Sequence, residues 1–123
     1  HQPRRQRQMC IRDRHGGVAQ GIGQALMEFV SFDENTGQLL SGSLMDYTLP
    51  RAAMLPNFEA TLEGAPTKAN VLGVKGVGQA GCIAAPQTIV HAVLNALSPL
   101  KIIHLDMPLT SQSIWRAISA SRA

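Results

Sequence analysis

The chain has 123 residues, a formal net charge of +3, 45% apolar and 15% charged residues, and only 4% aromatic ones. That composition fits one small packed domain, built from aliphatic and small side chains, and excludes a disordered segment. Arg4, Arg5, Arg7, Arg12 and Arg14 hold the positive excess at one end, and the body from His15 onward carries six Lys/Arg against seven Asp/Glu, so no basic stripe exists to track nucleic-acid phosphates.

No apolar run approaches the roughly 18 residues of a membrane span. No apolar signal-peptide region stands at the start, and cytoplasm is the default expectation. Cys10 and Cys82 are too few and too isolated for a zinc site or a disulfide framework.

Residues 1–14 are basic and aperiodic. They read as a non-core tail, either disordered or non-native sequence joined to a partial reading frame, and are set aside from the fold. Residues 15–123 form the remaining portion. A helix is expected over 16–30, with Val18, Ile22, Ala25, Leu26 and Phe29 on one apolar face. Gly17, Gly21 and Gly23 weaken it by about 1 kcal/mol each relative to Ala. They mark close approach, either to another backbone or to a ligand.

Residues 30–32 and 38–40 flank Asp33-Glu34-Asn35-Thr36-Gly37, a hairpin signal. Residues 43–49 are ambiguous, and Pro50 and Pro56 punctuate an irregular stretch. A strand is expected over 58–63, a loop over 64–70, and a short apolar run over 71–74. Pro86 suits the first turn of a helix, with Ile89, Val90, Val93, Leu94 and Leu97 as its buried stripe and Ser98-Pro99 as its end. Residues 101–105 read as a strand. Thr110 or Ser111 caps a last helix with Ile114, Trp115 and Ile118 inward. Strands and helices mix without strict alternation, which makes the expected fold class α+β.

Lys75-Gly76-Val77-Gly78-Gln79-Ala80-Gly81 is the most informative stretch. Glycine lacks Cβ and leaves room for a ligand. Gly76-x-Gly78-x-x-Gly81 is a literal dinucleotide-binding pattern, with Asp106 available for a ribose hydroxyl. Against a Rossmann-like domain, the preceding apolar run is short and broken by Gly73. The helix starts several residues past Gly81, and little chain follows Asp106.

Four segments carry a second reading: His15-Gly16-Gly17-Val18-Ala19-Gln20-Gly21-Ile22-Gly23-Gln24-Ala25-Leu26; Gly42-Ser43-Leu44-Met45-Asp46-Tyr47-Thr48-Leu49-Pro50-Arg51; residues 72–81; and Asp106-Met107-Pro108-Leu109-Thr110 with Ile114-Trp115-Arg116-Ala117-Ile118. In order and spacing they resemble the molybdenum hydroxylases of the xanthine dehydrogenase and aldehyde oxidase family, most of all the large subunit of aerobic carbon monoxide dehydrogenase and its relatives. The resemblance covers residues 15–118. It implies a C-terminal fragment of the second molybdopterin-binding domain of a longer catalytic subunit.

The resemblance implies a molybdopterin cofactor with molybdenum, in the cytosine dinucleotide form. It also implies iron–sulfur clusters and FAD on partner subunits, a small-molecule substrate (a carbonyl, a heterocycle or carbon monoxide, hydroxylated with water as oxygen source) and a dimer of heterotrimers. Gly17, Gln20 and Gly21 match the cofactor-contacting segment, with Gln20 bonding the pterin. Gly76, Val77, Gly78 and Gly81 match the loop that carries the family's glutamate, the general base beside molybdenum.

The matching position here is Gln79, an amide, which is not a usable base near neutral pH. Three explanations stay open. The subunit binds cofactor without hydroxylase activity, it uses another base or reaction, or a one-letter codon change separates Gln from Glu. His91 and His104 have no ligand-spaced partners and read as structural or surface residues. Cys82 reads as a small buried hydrophobe near the loop. Asp46, Tyr47 and Arg51 read as inter-element hydrogen-bonding groups, and Trp115 as a core anchor.

Overall fold

The computed structural model describes residues 4–61, 65–76 and 78–122, with side chains described from residue 12 onward. Helix α1 runs Arg4–Leu26, α2 runs Ala85–Leu97 and α3 runs Ser111–Ser121, with short 3-10 turns at Ala52–Met54 and Ser98–Leu100. α1 packs against α2. No helix among the described residues is long and apolar enough to cross a membrane.

α1 starts well before the expected residue 16 and runs unbroken through residue 14. A helix needs only backbone bonding and tolerant side chains, so missing apolar periodicity does not exclude one. Arg and Gln are good helix formers. The helix also stops before the expected residue 30: Met27 and Glu28 both donate their N–H to the Gly23 carbonyl at 2.9 Å, which closes the last turn.

The chain then enters the expected hairpin. Phe32 and Leu39 form an antiparallel bridge, flanked by Asp33 N–H to Gln38 C=O and Leu40 N–H to Ser31 C=O, both 2.8 Å. Asp33 organises the turn. Its Oδ1 accepts from the Asn35 N–H at 3.1 Å and from the Thr36 N–H and hydroxyl at 2.7 Å each. Gly37 supplies the positive φ of 68° that the turn needs.

The two other expected strands, 58–63 and 101–105, do not form among the described residues. Residues 58–61 have no ladder partner among the described residues, and residues 62 and 63 lie outside them. Residues 71–74 are a turn: Gly73 has φ 65°, and the Asn70 amide clips Val74 from both sides, at 2.8 and 3.1 Å. Lys101 is left-handed, at φ 57°, and residues 102–105 run on unpaired. A strand is a property of a pair, and β-propensity without a neighbour yields only an open path. The β component of the α+β fold is therefore one bridge among the described residues.

α3 begins as expected, with Thr110 Oγ1 accepting from the Ser113 N–H at 3.2 Å. Ile114 and Ile118 are partly covered. Trp115 is 66% exposed rather than a core anchor, because one residue turns a helix by about 100°, away from the face those isoleucines share. Among the described residues the buried apolar side chains are few: Ile22, Ala25, Leu97 and Leu109. Leu109 N–H donates to the Ala25 carbonyl at 2.7 Å, tying the 101–109 segment to the end of α1.

Candidate functional site

α1, the 78–83 turn, the start of α2 and residues 105–107 enclose a cleft of about 700 Å³. α1 contributes Gly17, Gln20 and Gln24, which recur at three- and four-residue spacing and so share one face. α2 contributes Pro86, Val90, Gln87 and His91, two pairs at four-residue spacing. Gly78, Gln79 and Cys82 form one end, and Asp106 lines the 105–107 side.

The turn carrying Gln79 is closed by its own backbone. Cys82 and Ile83 donate N–H to the Gln79 carbonyl at 3.0 and 3.1 Å, and Ala85 donates to the Cys82 carbonyl at 3.2 Å. The start of α2 has no side-chain cap: Ala84 stands at the N-cap and Pro86 in the first turn. First-turn N–H groups have no intrahelical partner and suit an anion or a strong acceptor.

The glycines divide into two sets. A Cβ on Gly17 would stand 3.0 Å from Gly81 Cα, and one on Gly81 would stand 2.9 Å from the Arg14 carbonyl oxygen. A Cβ on Gly21 would collide with Ala85 and with Pro86. These three bring the turn and α2 hard against α1. Gly76 and Gly78 have nothing within 4 Å of an added Cβ, and Gly78 opens onto the cleft.

The lining is rich in amides. Gln20, Gln24, Gln79 and Gln87 each carry both donor and acceptor atoms. Asp106 is the one carboxylate among the lining residues, and its Oδ1 sits 3.1 Å from His104 Nε2 on the exposed side. Among the described residues no three His, Cys, Asp or Glu side chains gather as a metal site.

Residues 7–56 match the family model of a molybdopterin cofactor-binding domain. The nicotine 6-hydroxylase large subunit of Paenarthrobacter nicotinovorans is 39% identical over 102 residues, 83% of this chain and 12% of that protein. The carbon monoxide dehydrogenase large chain of Hydrogenophaga pseudoflava is 35% identical over 104 residues, 85% of this chain and 13% of that one. The quinoline 2-oxidoreductase of Pseudomonas putida 86 superposes with a TM-score of 0.84 at 35% identity, over 91% of this chain and 14% of its own.

The chain belongs to the molybdopterin-binding large subunits of the xanthine dehydrogenase and aldehyde oxidase family. It spans 12–13% of those first two curated relatives. A solved copper- and molybdenum-containing carbon monoxide dehydrogenase shares the fold as well, with a TM-score of 0.82 at 27% identity over 89% of this chain and 14% of its own.

The Rossmann-like alternative fails on the fold. Residues 71–74 are a turn where that motif requires a strand, and α2 starts at Ala85 rather than within the glycine pattern.

Of the residues expected to serve the molybdenum hydroxylase site, Gly17, Gln20, Gly78 and Gln79 line the one cleft. Gly21 and Gly81 lie behind it, as packing surfaces. Gly76 is exposed and does not line the cleft, and Val77 is outside the described residues. His91, expected as a structural or surface residue, lines the cleft, as do Gln24 and Gln87, to which the sequence assigned no role. Their signal was available: Gln24 is one turn beyond Gln20, and His91 one turn beyond Gln87.

Proposed function

We propose that the chain is the part of a molybdenum hydroxylase's catalytic subunit that holds one wall of the cofactor site, in an enzyme that hydroxylates a small carbonyl, a heterocycle or carbon monoxide with water as oxygen source. Convergence of Gln20, Gln79 and the open start of α2 on one cleft carries this reading. The cleft volume lies well inside the range of cofactor sites, about 300–1000 Å³.

A molybdenum pterin fits what is there. Its ring edge alternates donors and acceptors, as the Gln20, Gln24 and Gln87 amides do. Its phosphate suits the uncapped first turn of α2. The room along α2 toward His91 suits the cytosine dinucleotide form. Portions 15–123 build this wall, since no described lining residue precedes Gly17. When bound, the molybdenum centre supplies two-electron oxidation of the substrate. Iron–sulfur and FAD subunits in a dimer of heterotrimers would carry those electrons away.

The chain's own part is to bind and orient. Gln20 and Gln24 offer hydrogen bonds from α1, Gln87 and the α2 amides from the facing side, and the Gly17–Gly81 contact fixes the turn that presents Gln79. The side chain of Gln79 can donate and accept hydrogen bonds but cannot hold a transferred proton near neutral pH.

That amide favours a second reading, a subunit that binds cofactor without hydroxylase turnover. Gln79→Glu in the complete enzyme distinguishes the two. A positioned base contributes about 100-fold or more, so turnover is expected to rise by at least that factor. An unchanged rate would remove Gln79 from the base position.

A further inference from the structure

We draw no further inference here: the strongest candidate, the buried Nε2 of His15 on α1, which has no hydrogen-bond partner among the described residues and belongs to a ring packed 5.7 Å from that of Phe58, carries nothing because nothing in the structure shows what group meets it.

Discussion

Gly17 and Gly81 meet backbone to backbone, with a Cβ on Gly17 standing 3.0 Å from Gly81 Cα. This contact lets α1 and the Gln79 turn form one wall. It links a helix chosen for its glycines to a cleft lined by the residues beside them.

Substitution at this contact is expected to act on both stability and cofactor retention. Gly17→Ala or Gly81→Ala forces a carbon into occupied space, which costs about 1–3 kcal/mol by overpacking. It also shifts the Gln79 turn. Gly16→Ala is the control: nothing lies within 4 Å of its added Cβ, and a helical alanine gains about 1 kcal/mol over glycine. Thermal melts and cofactor content of the complete protein check both. Equal behaviour of the Gly16 and Gly17 variants would contradict the packing role.

The Gly17–Gly81 pairing also shows what the sequence could and could not reveal. Glycines at 17 and 21 signalled close approach, but not whether the neighbour was protein or ligand. Only the fold separates Gly81, which is walled in, from Gly78, which is open. α2 and α3 were legible because Pro86 and Thr110 act locally, as was the hairpin, whose turn Asp33 and Gly37 build alone. The strands expected over 58–63 and 101–105 were not resolvable this way. Pairing depends on neighbours that local propensity does not encode. Trp115 misled for a related reason, since burial depends on what stands opposite.

Cys82 provides a direct probe of occupancy. It is a free thiol in the cleft lining, beside Gln79. Bound cofactor is expected to slow its alkylation by at least tenfold relative to cofactor-depleted protein, read by peptide mass spectrometry. Equal rates in the two forms would place the cofactor elsewhere.

Tyr47 is the chain's single tyrosine. Its hydrogen bond to Glu28, then desolvation and the Glu28 charge, raise its pKa above the ordinary value. Stability from this contact is present below the unfolded phenol value of about 10 and is lost as pH rises through the higher folded value. Ultraviolet titration of tyrosinate in the complete protein, with Tyr47→Phe to identify this tyrosine's signal, is expected to show the delayed ionisation. Glu28→Gln should bring the midpoint back down.

Asp33 behaves oppositely. Bonds from the Thr36 hydroxyl and then the Thr36 backbone hold its carboxyl below the usual aspartate range, against desolvation, with a smaller contribution from the Asn35 backbone. The turn's stabilisation is present above the unfolded value of about 4 and disappears as pH falls through the lower folded value. Hydrogen exchange of the Thr36 amide should accelerate across that acid window, relative to neighbouring amides, in the native protein but not in Asp33→Asn.

The central claim is that this chain forms part of a molybdenum-pterin site. The most direct test denatures the complete protein, identifies the released cofactor by mass spectrometry and quantifies molybdenum. A pterin dinucleotide with near-stoichiometric molybdenum is the predicted result. Released NAD or FAD from this polypeptide, with no molybdenum, would contradict the account.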